Sequence, residues 1–504
     1  MPGPSAPLME SMKDLKAKTI RGGAIRVFAL AASSFLRVAS MMILARLLEP
    51  KDFGLIGMAT AFTGILFLFR DFGLSTATVQ RAAVTERQSS TLFWINVLLG
   101  AFLALITTLC APLVASFYHE PRLVWVTRLV ATGFLFNGAG VQHSALLQRE
   151  MRFTAMALID IFSLAVSTAI AIIAAVAGYG YWALVAMTVS LPLGSTLALW
   201  WATQWIPGLP RRGIGLRSIM HFGGTVTLTS LVLYLAFNLD KVLLGRFWGS
   251  EVIGIYGRAY QLIRIPIDNL NNAVGEVAFS ALSRVQDDLV RLRRYFLKGY
   301  SLVLALTLPI TVACGLFPED IVDVLLGPKW RPAAQIFRFL APTILVFAIS
   351  NPLGWLLTSL GMVGRGLRIA LVLSPIMVIG YLIGLPHGAT GIALAYSAAM
   401  LLWMFPIIAW AVHGTGISFR DVVMVVGRPL ISIAVAGVIA FVGRQLYGHM
   451  MPVLPRLILE CAILFGIYFA LLFYVAGQKD IFLDIMRSWR GSSAADTESL
   501  AVSA

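Results

Sequence analysis

The chain has 504 residues, of which 59% are hydrophobic and 12% are charged, and its mean hydropathy is +0.84. Charged residues make up about 25% of an ordinary soluble protein, so this composition excludes a soluble enzyme, a secreted scaffold or a disordered protein and favours a chain that uses the lipid bilayer as its solvent. The net charge of +15 is scattered over short loops instead of gathered on one soluble face, which argues against a nucleic-acid-binding domain and leaves no nucleic acid among the expected partners.

Fourteen apolar runs, separated by Gly, Pro and charged residues, predict membrane-spanning helices. In chain order the predicted spans are 23–46, 53–77, 91–117, 122–147, 154–178, 180–204, 217–245, 251–281, 297–317, 332–360, 366–385, 388–412, 422–443 and 456–476. The connections between them are too short for a folded catalytic domain. Any function of the chain is therefore expected among the helices.

The distribution of Lys and Arg predicts the orientation of these spans, because cytoplasmic loops of multi-pass membrane proteins are rich in basic residues. With the N-terminus inside, cytoplasmic segments and the adjoining helix ends carry 23 of the 39 basic residues, and the opposite side carries eight. Both termini are then predicted to be cytoplasmic. The eight residues on the opposite side are Arg46, Lys51, Arg122, Arg246, Lys329, Arg331, Arg444 and Arg456.

An internal repeat divides the spans into two halves. Shifting the sequence by 200 residues aligns the end of the first span and the start of the second with the end of the seventh and the start of the eighth, with six identities in 22 positions. An offset of six spans is even, so the halves have the same orientation, as in transporters built from parallel repeats. Chance similarity between apolar segments is the alternative. The identities are Leu44 with Leu244, Arg46 with Arg246, Gly54 with Gly254, Gly57 with Gly257, Ala59 with Ala259 and Ile65 with Ile265.

This repeat predicts an all-α integral membrane protein with an appended pair of helices. The expected segments are a cytoplasmic N-terminal segment at 1–22, a first six-helix bundle at 23–204, a cytoplasmic linker at 205–216, a second six-helix bundle at 217–412, the appended helices thirteen and fourteen at 422–476, and a cytoplasmic, largely disordered tail at 477–504.

Polar and charged side chains recur along single faces of three otherwise apolar spans. Spacings of three and four residues place each set on one helical face. Lipid does not tolerate such a face, so we expect these side chains to line a polar cavity. The sets are Ser33, Arg37 and Ser40 on the first span, Thr227, Ser230, Tyr234, Asn238 and Lys241 on the seventh, and Tyr256, Tyr260, Arg264, Asp268 and Asn271 on the eighth.

Cations outnumber acids within these membrane helices. Excess buried positive charge favours an anionic substrate, because guanidinium groups bind phosphate oxygens bidentately while Tyr rings and amides can face sugar hydroxyls. The sequence thus predicts a cationic cavity suited to a diphosphate with attached sugars. In the alternative interpretation, Arg264 merely pairs with Asp268, and Lys241 neutralises Asp240. The cations are Arg37, Arg70, Lys241, Arg258 and Arg264, and the acids are Asp240, Asp268 and Glu276.

Catalytic and metal-binding motifs are missing from the sequence. It contains neither a G-x-x-x-x-G-K-[ST] phosphate loop nor an H-E-x-x-H metal pair. The adjacent acids Asp287 and Asp288 lie in a basic loop, where a solvated turn is expected rather than the metal site of a glycosyltransferase. We therefore expect no catalytic residue, metal site or cofactor. Whether a proton or a sodium ion is coupled to transport through Asp240, Asp268 or Glu276 stays open.

Three stretches of the chain carry a family resemblance. They are "ARLLEPKDFGLIGMATAF", "FRDFGLSTATVQR" from Phe69 to Arg81, and "NLDKVLLGRFWGSEVIGIYGRAYQLIRIPI" from Asn238 to Ile267. The chain resembles the polysaccharide transporter branch of the multidrug, oligosaccharidyl-lipid and polysaccharide exporter superfamily, the Wzx-like flippases of lipopolysaccharide and exopolysaccharide biosynthesis.

The resemblance implies two six-helix bundles around a central cavity, lined by the first, second, seventh and eighth spans. It also implies a location in the bacterial inner membrane, where alternating access carries an undecaprenyl diphosphate-linked oligosaccharide across the bilayer. The appended helices would then help to accommodate the lipid tail. A polysaccharide polymerase and the export machinery would be the protein partners.

Two other kinds of protein compete with a flippase. A small-molecule or drug exporter of the same superfamily would use buried carboxylates to bind cations, and the excess of buried arginine argues against it. A polysaccharide polymerase or ligase would need a large external loop, which the sequence lacks. The sequence therefore favours a flippase that moves a lipid-linked oligosaccharide from the inner to the outer leaflet, and not an enzyme.

Overall fold

The computed structural model describes residues 31–70, 85–210, 216–447, 451–475 and 477–479. Within these ranges it describes every side chain except those of residues 216–230, 232, 233, 270, 272, 273, 276, 277, 280, 363 and 447. The predicted N-terminal segment and nearly all of the predicted tail lie outside the described residues. Most of the family-like stretch from Phe69 to Arg81 also lies outside them.

The described chain is built from helices, and no strand occurs in those ranges. It divides into two units, Met1–Gly257 and Arg258–Ala504. This division follows packing and falls within a helix, so the predicted boundaries of the two bundles remain a prediction. The first unit contains α1 (31–47), α2 (Pro50–Phe67), α3 (Glu86–Tyr118), α4 (Leu123–Arg149), α5 (Phe153–Val176), α6 (Tyr181–Thr203) and the beginning of α7.

Helix α7 runs from Leu216 to Arg284 and is interrupted at Gly249. The φ of 82° and ψ of −175° at this residue lie in a region that is essentially open only to glycine. The break separates an arm at 216–248 from an arm at 250–284, and these arms correspond to the predicted seventh and eighth spans. The first unit ends within the second arm.

The second unit contains the rest of α7 and eight further helices. The predicted tenth span consists of two helices that meet at Ala341 and Pro342, since proline has no backbone N–H to continue the helical hydrogen bonds. The helices are α8 (Leu289–Leu316), α9 (Pro318–Leu325), α10 (Pro332–Leu340), α11 (Pro342–Ser359), α12 (Val363–Gly384), α13 (Gly388–Val412), α14 (Phe419–Tyr447) and α15 (Val453–Ala470), with 3-10 turns at Pro328–Trp330 and Leu385–His387 and a π-helical turn at Leu471–Val475.

Side-chain caps define where two of these helices begin. Before α3, the Thr85 hydroxyl accepts a hydrogen bond from the Gln88 backbone N–H at 3.3 Å, and the Thr85 N–H donates to the Gln88 side chain at 3.0 Å. Before α8, the Asp288 carboxylate accepts from the backbone N–H groups of Val290 and Arg291 at 3.2 and 3.1 Å. The acid that the sequence placed in a solvated turn is therefore a helix cap.

The exposed face of α3 is apolar, as contact with the lipid bilayer requires. Five large apolar side chains along one face of this helix are 57–68% exposed, whereas its buried face includes Asn96 and Thr107. Water would not tolerate a continuous apolar face of this length on a monomeric protein. The chain is a multi-pass membrane protein. The exposed side chains are Leu98, Phe102, Leu105, Leu109 and Leu113.

Within the described ranges, nine helical segments are long and apolar enough to cross a membrane. They cover the predicted spans except the first, second, seventh and eighth, because the segment Gly364–Val412 contains two spans. The four exceptions are α1, α2 and the two arms of α7. Three of them carry the polar faces predicted from the sequence.

Candidate functional site

The first arm of α7 carries a chain of polar contacts along one face. The Lys241 ammonium donates a hydrogen bond to the Asn238 side-chain oxygen at 2.8 Å, and the Asn238 amide donates to the Tyr234 carbonyl at 3.0 Å. The Tyr234 hydroxyl lies 3.4 and 3.5 Å from the Thr60 and Ala61 carbonyl oxygens of α2. Lys241 and Asn238 are thus each oriented by the residue one turn before, as the spacing of three and four residues predicts, whereas Tyr234 is oriented by α2.

Asp240 lies next to this face but is buried, with 1% of its surface exposed. Its carboxylate accepts a hydrogen bond from the Tyr256 hydroxyl at 2.6 Å and another from the Lys241 backbone N–H at 2.8 Å. Tyr256 is fully buried. This pair joins the two arms of α7 across the break at Gly249, so it stabilises the geometry of the break.

Arg264 and Asp268 lie one turn apart on the second arm of α7, in the second unit. Their side chains form an ion pair at 2.9 Å, and they are nevertheless 40% and 49% exposed. The Arg264 guanidinium also lies 6.0 Å from the centre of the Phe347 ring. The ion pair between Arg264 and Asp268, which the sequence offered as an alternative to substrate binding, is therefore present. Both charged groups nevertheless remain accessible.

The polar face of α1 is turned toward α5. The Ser40 hydroxyl is buried, donates to the Leu36 carbonyl at 2.7 Å and lies 2.8 Å from the Thr168 hydroxyl of α5. Arg37, one turn earlier, is exposed and interacts electrostatically with Asp160, also on α5. Ser33 is half-buried. Asp160 was not among the predicted acids, although Ser163 and Ser167 follow it at spacings of three and four residues and could have marked this face of α5.

The remaining predicted residues are distributed over both units. The Arg70 guanidinium lies 3.9 Å from the centre of the Phe67 ring at the end of α2. Arg258 and Tyr260 are half-buried on the second arm of α7, and Asn271 is exposed there. The side chains of Thr227, Ser230 and Glu276 lie outside the described ones.

A second group of charged residues, in the second unit, forms a cluster that was not predicted from the sequence. Arg456 of α15 and Arg444 of α14 both pair with Asp320 of α9, through distances of 3.0 Å from Arg456 Nε and 3.3 Å from Arg444. Asp320 is 2% exposed. Glu460, fully buried, lies 3.6 Å from Arg444. In the sequence these cations indicate only the orientation of the spans, and Asp320, which both of them contact, lies more than a hundred residues away from either.

The family match covers most of the first unit, all of α7 and the part of the second unit that follows it up to residue 335. Residues 43–335 match the family described as polysaccharide biosynthesis protein. The matched region covers more than half of the chain. The chain belongs to the polysaccharide biosynthesis protein family. The resemblance found in the sequence is therefore confirmed.

Curated relatives of this polysaccharide biosynthesis protein have names of the same kind. The chain is 31% identical to the teichuronic acid biosynthesis protein TuaB of Bacillus subtilis over 58% of its own length and 61% of that protein. It is 26% identical to the lipopolysaccharide biosynthesis protein WzxC of Escherichia coli over 77% of its own length and 80% of that protein. The succinoglycan biosynthesis transport protein ExoT of Rhizobium meliloti is 23% identical over 66% of each chain.

Solved structures show the fold of this family member. The lipid II flippase MurJ, in an inward closed conformation, has a TM-score of 0.74 at 14% identity and covers 91% of this chain and 100% of its own. An inward-facing multidrug resistance transporter of the MATE family has a TM-score of 0.59 at 14% identity, over 78% of this chain and 99% of its own. At these identities the likeness shows the fold alone. The all-α membrane architecture predicted from the sequence is thus confirmed.

Proposed function

We propose that the chain moves a prenyl diphosphate-linked oligosaccharide from the inner to the outer leaflet of the bacterial inner membrane, for the synthesis of a surface polysaccharide or exopolysaccharide. The transport cycle is alternating access, and no covalent bond of the substrate is made or broken. Family membership supports a role in polysaccharide biosynthesis. The transporter fold supports movement across the membrane in place of catalysis.

The observation that carries this proposal is the accessible ion pair of Arg264 and Asp268. A charged side chain at the centre of a bilayer costs about 2.5–3.5 kcal/mol on insertion scales, so the face that exposes this pair borders water or a polar ligand and not lipid. A guanidinium with one carboxylate partner retains further N–H donors. Those donors can bind phosphate oxygens while Asp268 holds the side chain in position.

The other predicted cations contribute positive charge to substrate binding in this proposal. Lys241 is oriented by Asn238, and Arg70 lies over an aromatic ring, so both charges occupy defined positions. An inside-negative membrane potential favours outward movement of an anion by about 2.3 kcal/mol per charge per 100 mV. The potential therefore contributes to the driving force, with Asp240, Asp268 and Glu276 as the groups to examine for proton or sodium coupling.

The test uses a strain of the native bacterium from which the gene is deleted. Prenyl diphosphate-linked oligosaccharides are extracted, their leaflet is determined, and surface polysaccharide is measured in parallel. We expect the carrier to accumulate in the inner leaflet while polymer is lost, and a plasmid copy of the gene to restore both. Unchanged carrier and polymer would contradict the proposal, and a changed drug-susceptibility panel in the same strain would then favour small-molecule export.

Complementation with variants tests the ion pair itself. Arg264→Ala should leave the protein in the membrane and abolish polymer export, because the guanidinium that binds the diphosphate is gone. Arg338→Ala is the matched control, since Arg338 pairs with Glu319 at 2.7 Å near a helix end and has no assigned role in substrate binding. Wild-type export by Arg264→Ala would remove Arg264 from the site.

A further inference from the structure

The first unit contains a cavity of about 220 Å³ between α2, α4 and α6. Ligand pockets commonly measure about 300–1,000 Å³, so this one has the size for a single ring and not for a whole oligosaccharide. Every residue that lines it is uncharged. The cavity is lined by Thr60, Thr63, Gly64, Phe67, Val130, Gly133, Phe134, Asn137, Thr188 and Pro192.

The polar groups of this cavity are mainly hydrogen-bond acceptors. The hydroxyls of Thr60 and Thr188 donate to the carbonyls of Ile56 and Leu184 at 2.7 and 2.8 Å, on their own helices. Each hydroxyl oxygen keeps lone pairs with which to accept. Asn137 donates one amide N–H to the Gly133 carbonyl at 2.8 Å, which leaves its side-chain oxygen as an acceptor and its second N–H as a donor.

Pro192 adds a further acceptor to the same wall. Proline has no backbone N–H, so the carbonyl four residues earlier, that of Thr188, lacks its usual helical donor. Both Thr188 and Pro192 line the cavity. A ligand that brings donors satisfies this carbonyl, whereas an apolar ligand leaves it unpaired.

Aromatic rings form the apolar part of the lining. Phe67 and Phe134 have ring centres 6.3 Å apart at a tilt of 48°. Apolar ring faces complement the C–H faces of a pyranose, whose hydroxyls point outward to polar groups. Arg70 lies 3.9 Å over the Phe67 ring but is not part of the lining, so this cation stands at the edge of the cavity and not within it.

We propose that this cavity binds one sugar ring of the translocated substrate, through the acceptors of Thr60, Asn137 and Thr188 and the faces of Phe67 and Phe134. A diphosphate is bound most strongly by cationic side chains, and no residue of the lining is charged, so the diphosphate binds elsewhere. A cationic drug finds no carboxylate in the lining. The inference rests on the proposed function, and it names a sugar ring as the part of the substrate that the first unit recognises.

The experiment measures binding of soluble short-chain probes to the full chain in detergent micelles. The probes are farnesyl diphosphate and farnesyl diphosphate carrying one glucose, galactose or N-acetylglucosamine. We expect at least one glycosylated probe to bind more tightly than the bare diphosphate. Thr188→Val and Asn137→Leu should each reduce that preference by about two- to tenfold, the range for one lost hydrogen bond, and leave the affinity for farnesyl diphosphate unchanged.

Thr132→Val is the matched control for Thr188→Val. Thr132 is on α4 and donates to the Leu129 carbonyl at 2.6 Å in the same manner, but it does not line the cavity. Its variant should keep the sugar preference. Equal affinities of the wild-type chain for all four probes would overturn the sugar site and leave the proposed function standing. Failure of the wild-type chain to bind any probe would overturn the proposed function itself. In each variant, unchanged binding of farnesyl diphosphate shows that the protein is folded.

Discussion

Gly54 and Gly254, 200 residues apart and equivalent in the internal repeat, lie at one helix crossing. A Cβ on Gly54 would stand 1.7 Å from the Ser250 carbonyl oxygen, and a Cβ on Gly254 would stand 1.9 Å from the Pro50 carbonyl oxygen. Ser250 and Pro50 are themselves equivalent in the repeat. The contact is thus reciprocal, which is what two copies of one motif produce where they meet across a symmetry axis. It supports a true repeat over chance similarity.

This crossing predicts unequal effects of alanine at four repeated glycines. Gly54→Ala and Gly254→Ala should lower the melting temperature and the yield of monodisperse protein in detergent, because the added methyl group collides with backbone that has no rotamer to change. Gly57→Ala and Gly257→Ala are the controls, since the nearest atom to a Cβ at Gly57 is 3.6 Å away and none lies within 4 Å at Gly257. Both controls should melt at or above the wild-type temperature, as alanine favours a helix over glycine by about 0.8–1.0 kcal/mol.

Exchanging the charges of Arg264 and Asp268 distinguishes a purely structural role of this ion pair from a role of Arg264 in substrate binding. The double variant Arg264→Asp with Asp268→Arg keeps an ion pair on the same helical turn. We expect folding and membrane level to be restored relative to either single variant, while polysaccharide export stays lost because the guanidinium has moved by one turn. Restored export in the double variant would show that pairing alone is required.

The Asp240–Tyr256 hydrogen bond should be a strong contributor to the stability of the first unit. Tyr256→Phe removes the hydroxyl that donates to the buried carboxylate at 2.6 Å, so we expect the free energy of unfolding to fall by about 1–3 kcal/mol. Tyr234→Phe is the comparison, because the Tyr234 hydroxyl makes only long contacts of 3.4 and 3.5 Å. Thermal melting of both variants in the same detergent checks the difference. Equal melting temperatures would argue against a special role for Asp240.

Much of this architecture follows from one-dimensional patterns in the sequence. Apolar runs predicted the helices, and the spacing of Tyr234, Asn238 and Lys241 predicted that they share a face, because both properties depend on neighbours within one helix. The sequence predicted only that the seventh span ends at 245 and the eighth begins at 251, and the break at Gly249 lies between these positions. The detailed geometry of the break depends on Asp240 and Tyr256 meeting across it.

Contacts between distant helices were beyond the reach of the same patterns. The cavity lining combines Thr60, Asn137 and Thr188 from three helices, and nothing in the spacing of any one helix marks them as neighbours. The interaction between Arg37 and Asp160 was missed for the same reason. Single-helix periodicity tells which side chains share a face, but which faces meet is decided by packing in three dimensions.

The cluster around Asp320 should attach α14 and α15 to α9. Arg456→Ala removes one of two guanidiniums from a carboxylate that is 2% exposed, so the buried charge keeps only the longer contact with Arg444 and the melting temperature should fall. Arg331→Ala is the matched control, since Arg331 pairs with Asp323 at 3.1 Å but its side chain is 67% exposed. Exposed ion pairs contribute about 0–1 kcal/mol, and that variant should melt like the wild type. If instead the two variants melt alike, the helix pair is held by its apolar contacts, and Asp320→Asn should then be tolerated as well.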